Sequence, residues 1–442
     1  MGAAIEKLIS DGELYEPGEL QQLQLQGASE RLQEQRGAIR ALDHRAREAG
    51  VETVSSTEDL IPLLFAHSTY KTYPEAFVAQ GKWGLMSKWL DTVSACDVAS
   101  VDVDGVADLD AWIDRLSEAG ITIIASSGTT GKHSFITLNE HDLESLCANQ
   151  AKYWQISPGV DHPEGRPFAY LGPMSAPPLL EARRKVLPPG ADVLTEERVR
   201  LAEMVALGQV RSAMANGTAA PSDVEAMEAR VRERAARLSV DITELAHKVF
   251  SRRREPQTIM GMVGMFWRLM EIGKAEGIPD GSFHPGTLVI MNGGLKGLRL
   301  PEDYQLQFKT FFGNVSSPKR YGMTELSAEM PMCEALVYHV PVGIIPLILD
   351  ETGERILEPD PEDRVTGRFA AFNLMVEGHW GGVISGDQVV AARFSGRCDC
   401  GRPGPVIEEP IVRYSELSVA GDDKLTCGGT MEQYIRGSIE PE

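Results

Sequence analysis

Cysteine is scarce in this 442-residue chain: six residues at irregular spacing argue against a disulfide framework and for a reducing compartment. Basic residues are outnumbered, with 43 Lys and Arg against 64 Asp and Glu and a formal charge of −21. Such a field repels phosphate backbones and anionic lipid surfaces, so neither nucleic acid nor a membrane is an expected partner. It does not oppose one local phosphate pocket, because a few backbone N–H groups hold an anion inside an acidic protein. Long apolar runs are missing too. No stretch reaches the roughly 18 residues of a membrane helix, and the acidic start MGAAIEKLISDGELYEPGE lacks the apolar core of a signal peptide, so a cytoplasmic location is expected. Glu6 stands where a myristoylation motif requires Ser or Thr. What remains is an ordinary globular mix, 43% hydrophobic and 24% charged, which supplies a core and excludes global disorder.

Residues 1–60 read as helices with a charged face whose job is packing, and 60–120 as apolar helical segments. There the run HSTYKTYPEAF looks exposed, and the aromatics read as core. At 121–127 a β-branched strand, ITIIASS, leads into a Gly/Thr loop and a helical segment, LNEHDLESLCANQAKYW, giving strand, loop, helix. Residues 190–255 read as a solvated helical layer, and β-rich sequence follows from TLVIMNGG to GGVISGDQVVAARF. Strands alternating with helices imply an α/β fold that becomes more β-rich toward the C-terminus.

Three loops carry residues suited to chemistry. Ser127, Gly128, Thr129, Thr130, Gly131 and Lys132 combine glycines that turn N–H groups toward an anion, hydroxyl donors and a positive charge. They do not form a Walker A loop, since Ser126 and His133 occupy its required Gly and Ser/Thr positions. An ordinary Gly/Ser/Thr turn is the alternative. The second loop, Tyr321-Gly322-Met323-Thr324-Glu325, is preceded by Asn292-Gly293-Gly294-Leu295-Lys296. An aromatic ring stacks on a purine, a threonine hydroxyl bonds a phosphate oxygen, and a glutamate holds Mg²⁺. In the third, Ser385-Gly386-Asp387, a carboxylate at a strand end suits the two hydroxyls of a ribose.

In this order the three loops resemble the phosphate, adenine/Mg²⁺ and ribose motifs of the adenylate-forming superfamily of acyl-CoA synthetases, luciferases and adenylation domains. Arg402 follows Asp387 at about the distance at which the superfamily carries a second ribose-contacting arginine. Gly131-Lys132, the region around LDETGERILEP and Cys398-Asp399-Cys400-Gly401-Arg402 look like phenylacetate-CoA ligase relatives. The Gly293–Lys296 element, YGMTEL and the short C-terminus look more like the acyl-protein synthetase of bacterial bioluminescence, the branch favoured here. The resemblance implies a large adenylate-forming domain over 1–402, with mixed sheets flanked by helices and a β-rich subdomain, and a truncated C-terminal subdomain over 403–442.

The reaction it implies is ATP-dependent activation of a carboxylic acid as an acyl-adenylate. The acyl group then passes to a thiol: coenzyme A, a carrier protein or a cysteine of a partner reductase. By the same resemblance Ser127 to Lys132 hold the β/γ-phosphates, Gly293 and Gly294 line the base and Tyr321 stacks on it. Thr324 bonds the α-phosphate, Glu325 binds Mg²⁺, and Asp387 and Arg402 grip the ribose. The acyl pocket falls on Tyr170, Gly172, Met174, Met262 and Trp267, a Met-rich lining that equally suits core packing.

The superfamily's C-terminal lysine has no counterpart; Lys296, Lys132 or Lys424 are the candidate substitutes. That gap raises two alternatives, a relative that only transfers acyl groups from acyl-AMP and a degenerate nucleotide-binding regulatory subunit. Cys333, His339, Cys398 and Cys400 form a Cys-x₅-His…Cys-x-Cys set in the style of a structural Cys₃His zinc site, tighter than the usual Cys-x₂-Cys, with inert core cysteines as the alternative. Cys427 resembles the acyl-carrying cysteine of the bioluminescence synthetases, against the reading of a small buried side chain.

Overall fold

The computed structural model describes residues 2–11, 15–125, 132–156, 166–172, 190–194, 200–292 and 300–417. They fall into two units, one of Met1–Ser127, His133–Asn149 and Tyr321–Glu442, the other of Gly128–Lys132 and Gln150–Arg320. Helices and several sheets make the chain mixed α/β, as its alternating pattern predicts. No helix among the described residues is long and apolar enough to cross a membrane.

The first unit opens with helices α1 (Ala3–Asp11), α2 (Pro17–Gln35) and α3 (Arg40–Ala49). Proline in the first turn starts α2, where its missing N–H costs nothing, and Gly50 at φ 67° ends α3, a left-handed cap that glycine adopts freely. Strand β1 (Phe65–Ala66), helices α4 (Glu75–Ala79), α5 (Trp83–Thr92) and α6 (Leu109–Glu118), and strands β2 (Thr122–Ala125) and β3 (Phe135–Leu138) follow. The aromatics of this stretch are core, as expected: Tyr70, Tyr73, Trp83, Trp89 and Trp112 are buried, so the HSTYKTY run is less exposed than its polar residues suggest.

Within helix α7 (Glu140–Ile156), at Gln150, the chain enters the second unit. Strands β4 (Phe168–Leu171), β5 (Asp192–Val193), β6 (Thr258–Met262) and β7 (Leu288–Asn292) make a parallel sheet in the order β5-β4-β6-β7. Parallel strands need crossovers that cover the sheet, supplied by α8 (Leu201–Ala215) and α9 (Pro221–Ser251) between β5 and β6 and by α10 (Val263–Ala275) between β6 and β7, with α11 (Tyr304–Phe312) following β7. Phe250, Phe266, Phe283, Phe308, Phe311 and Phe312 form one cluster under them. Ring pairs such as Phe283–Phe312 at 5.0 Å add about 0.5–1.5 kcal/mol each beyond area burial.

The chain then returns to the first unit with hairpin β8 (Arg320–Met323) and β9 (Ala328–Pro331), and strands β10 (Tyr338–His339), β11 (Ile344–Leu349), β12 (Arg364–Asn373), β13 (Gly382–Ala392) and β14 (Val406–Arg413), ending in α12 (Tyr414–Leu417). The main sheet runs β10-β14-β13-β12-β11. One edge of β13 changes partner along its length: β1 pairs in parallel with Val383 and Ile384, and β14 pairs antiparallel from Asp387 onward.

Helix α2 does more than pack. Gln24 Nε2 donates to the carbonyls of Val342 (2.9 Å) and Ile344 (3.2 Å), and Arg31 Nη2 to that of Leu374 (2.9 Å). Gln35 Nε2 reaches those of Val376, Glu377 and His379 at 3.2, 3.0 and 3.3 Å. A buried polar stripe thus satisfies loop carbonyls that would otherwise be stranded.

Candidate active site

The Gly/Thr loop, residues 126–131, lies outside the described residues, but its stem is clear. Strands β2 and β3, on either side of it, pair antiparallel from Ala125↔Phe135 to Thr122↔Leu138. This corrects the strand, loop, helix reading: Phe135–Leu138, an aromatic followed by two β-branched residues and a leucine, forms a strand before α7 begins. Lys132, at the loop's exit, is half-buried. Ser134 is fully buried and its Oγ donates to Glu325 Oε1 at 2.7 Å.

Glu325 sits in the short turn between β8 and β9 and is 8% exposed. Gly322 is required in β8, because a Cβ there would meet the Ala328 carbonyl at 2.4 Å. Met323 and Thr324 are half-buried. The Glu325 carbonyl faces His379 Nε2 at 3.4 Å, and His379 Nδ1 lies 3.0 Å from the Thr137 carbonyl. Burial holds this imidazole below its ordinary pKa of 6.5, against the charge of Asp142. Asn139 and Asp142 form a reciprocal capping box at the start of α7: Asp142 N–H donates to Asn139 Oδ1 (2.9 Å) and Asn139 N–H to Asp142 Oδ2 (3.0 Å). The same carboxylate takes the N–H groups of Glu377 (2.7 Å) and Gly378 (2.8 Å), fixing the loop that carries His379.

Asp387 is 4% exposed. Tyr321 Oη donates to its Oδ2 at 2.9 Å, and Arg413 Nε to its Oδ1 at 2.9 Å. The second contact follows from register, since Asp387 and Arg413 are cross-strand partners. Burial and the adjacent carboxylate push the Tyr321 phenol well above its ordinary value of 10.0, so it stays protonated and donates. Its ring packs edge-on to Phe369 at 5.5 Å. Arg368, also buried, donates from Nη1 to the Ser385 carbonyl (2.9 Å) and lies 4.0 Å over the Tyr414 ring.

The cysteine set converges. The ligand atoms of Cys333, His339, Cys398 and Cys400 all lie within 4.8 Å of one another. Cys333 and Cys398 sulfurs are 3.8 Å apart, and Cys400 Sγ is 3.2 Å from His339 Nε2. Four bonds of about 2.3 Å in tetrahedral array place sulfurs about 3.8 Å apart, so the spacing suits Zn²⁺. The tight Cys-x-Cys is accommodated by a turn in which Cys398 N–H donates to the Arg402 carbonyl (2.9 Å) and Gly401 adopts φ 86°. Burial lowers His339 to about 4 and raises Cys398 to about 11. Burial also opposes ionisation of Cys400, yet hydrogen bonds from the Arg402 N–H, Cys398 and the Arg402 guanidinium outweigh it and bring this thiol below 9.0. Arg402 Nη1 lies 3.5 Å from Cys400 Sγ; the guanidinium at Asp387 is that of Arg413.

In the second unit Tyr170, Gly172 and Met262 stand at the carboxyl ends of β4 and β6, where ligands of parallel sheets bind. Trp267, on α10, packs edge-on to Phe308 at 5.9 Å and donates to Glu271. Met174, Gly293, Gly294, Lys296, Lys424 and Cys427 lie outside the described residues.

No protein-family model matches the chain, and no curated protein sequence matches it. Among solved structures, it is similar to 2-hydroxyisobutyryl-CoA ligase. The open conformation of that enzyme, in complex with 2-HIB-AMP and CoA, matches with a TM-score of 0.55 at 12% identity over 91% of this chain and 71% of that one. Its thioesterification state matches at 0.54, with 14% identity over 91% and 70%, and its postadenylation state at 0.52, with 13% identity over 90% and 68%. The chain has the adenylate-forming ligase fold.

Within the adenylate-forming fold, sequence reasoning missed Ser134, His379 and Arg413. Ser134 was legible as a hydroxyl two residues beyond Lys132. Arg413 depended on the β13–β14 register, and His379 was one histidine among nine with no local motif around it.

Proposed function

We propose that this protein activates a carboxylic acid with ATP as its acyl-adenylate and transfers the acyl group to a thiol, coenzyme A being the first acceptor to test. The observation that carries this reading is the meeting of distant motifs within one unit: Ser134, beyond the Gly/Thr loop, bonds Glu325, while Tyr321, four residues before Glu325, bonds Asp387.

In this reading residues 127–132 hold the phosphate chain, Tyr321 and the Gly293-Gly294 segment the adenine, and Asp387 the ribose, with Arg413 taking the place expected of Arg402. Glu325 holds Mg²⁺: it is buried, Ser134 engages one oxygen, and its other oxygen has no partner among the described residues. The metal supplies charge neutralisation on the phosphate oxygens. Thr324 donates to the α-phosphate as the acid's carboxylate oxygen attacks phosphorus and pyrophosphate departs with the bonding pair. Lys132 and Lys296 are the candidate cations for the charge that builds. In the second half-reaction the thiol sulfur adds to the acyl carbon, AMP leaves, and the thiol proton goes to solvent. Tyr170, Gly172, Met174 and Met262 form the acyl site, and Cys333, His339, Cys398 and Cys400 hold a structural Zn²⁺ that ties the chain beyond β9 to the β13–β14 connection.

The test is acid-dependent pyrophosphate release and hydroxamate trapping over a broad panel of acids that includes 2-hydroxyisobutyrate, the acid whose adenylate the similar ligase holds. Turnover with one class of acid supports the reading, and none across the panel sinks it. Metal analysis of purified protein is expected to give one zinc per chain; its absence removes the zinc assignment.

A further inference from the structure

His379 is fully buried, although a histidine in a core costs free energy that a phenylalanine of similar size does not. Its two ring nitrogens face two backbone carbonyls: Thr137, on the strand leaving the Gly/Thr loop, at 3.0 Å, and Glu325 at 3.4 Å. Ser134 and Glu325 join the same two segments through their side chains. A neutral imidazole carries one N–H, so the ring donates to one of these carbonyls and packs against the other, while the Glu325 carboxylate takes the Ser134 hydroxyl.

The ring is itself fixed from several sides. Ser94 and His379 form an isolated antiparallel bridge. The Tyr70 ring stands edge-on at 5.9 Å, and Gln35 donates to the His379 carbonyl. At Gly378 a Cβ would meet both Asp142 Oδ2 and the Thr137 carbonyl at 2.7 Å, so only glycine lets the loop approach β3 this closely.

We propose that His379 is a positioning residue for Glu325, fixing its backbone against the strand that leaves the phosphate loop so that the carboxylate meets the nucleotide-bound cation at a constant depth. This rests on the adenylation reading for its purpose, though not for its geometry. Supporting groups of this kind typically cost about 10- to 100-fold in metal affinity or activity when removed.

The experiment compares wild type, His379→Phe and His379→Gln in the full chain. It reads kcat and KM for pyrophosphate release, the Mg²⁺ concentration giving half-maximal rate, the melting temperature, and amide hydrogen exchange over residues 323–327. His379→Phe is expected to lower kcat about 10-fold or more and to raise the Mg²⁺ requirement several-fold, with KM for the acid unchanged and exchange accelerated locally at 323–327. His379→Gln, which keeps one N–H donor, is expected to recover part of each. Wild-type kcat, Mg²⁺ dependence and exchange in His379→Phe overturn the proposal. So does exchange that rises across the whole first unit with a lowered melting temperature and no recovery in His379→Gln, the signature of a merely structural ring. If wild type shows no acid-dependent turnover, the adenylation reading fails by itself, and local exchange at 323–327 in the two variants still decides the positioning role. Should His379→Phe not fold, the same local exchange and Mg²⁺ measurements on His379→Gln decide it.

Discussion

Glu325 and Asp387 are both buried carboxylates of the first unit, and their surroundings differ in kind. Asp387 has each oxygen engaged, one by the Tyr321 phenol and one by the Arg413 guanidinium. Glu325 has one bond to a neutral hydroxyl and, among the described residues, no cationic partner. A carboxylate already matched by a cation and a phenol holds a sheet together; one with spare coordination and no balancing charge is suited to receive a cation. In the proposed reading ribose hydroxyls would share the Asp387 oxygens with Tyr321 and Arg413, whereas a metal at Glu325 would meet an oxygen with no other partner among the described residues.

The sharpest way to break this contrast is Glu325→Gln, which keeps an acceptor for Ser134 but removes the charge. Acid-dependent pyrophosphate release should fall on the order of 100-fold or more, with the melting temperature little changed; unaltered turnover would remove Glu325 from the metal role. Asp387→Ala should show the reverse emphasis, losing about 1.5–3 kcal/mol of stability in denaturant titration because two bonds to a charged group disappear. A mutant as stable as wild type would show that Asp387 is not a structural tie. Tyr321→Phe should cost about 1 kcal/mol for its single bond.

The phenol also gives a pH signature. Its pKa is raised in the folded state above the ordinary 10.0, so its contribution is complete below pH 10 and is lost as pH rises through the raised value. Melts above pH 10 should accordingly fall more steeply for wild type than for Tyr321→Phe, and parallel curves would count against the buried phenol. Arg413→Ala closes the series at about 1 kcal/mol or less, because its side chain is 57% exposed and solvent screens the pair. A loss equal to that of Asp387→Ala would place the guanidinium, not the carboxylate, at the centre of the tie.

Residue type and local spacing named most of the candidate residues. The loops around Thr324-Glu325 and Asp387, and the Cys-x₅-His…Cys-x-Cys set, each state their chemistry within a few neighbours, and the structure brings the four metal-type ligands together. What stayed hidden depends on long-range register. Arg413 faces Asp387 only because β13 and β14 align it there, and Arg402 turns to Cys400 because the chain between those strands folds into the cysteine turn. Most of strand β3 falls with the loop before the helical segment in the sequence reading, since the few residues from Ser134 to Leu138 give little alternation to read. The amide and guanidinium stripe of α2 looked like a solvated face, because nothing in a helical repeat says that the polar side meets carbonyls more than 300 residues away.

That stripe carries a consequence in time. Arg31 and Leu374 are separated by 343 residues, and Gln35 and His379 by 344. At synthesis rates of about 5–20 residues per second, α2 emerges roughly 15–70 s before the carbonyls it serves. Through that interval the carbonyl partners of Gln24, Arg31 and Gln35 do not yet exist, and Arg31 has only Glu34 of its own helix beside water. The first unit closes late, when its returning strands reach a helix that was among the first to leave the ribosome, and the loop bearing His379 is set only then.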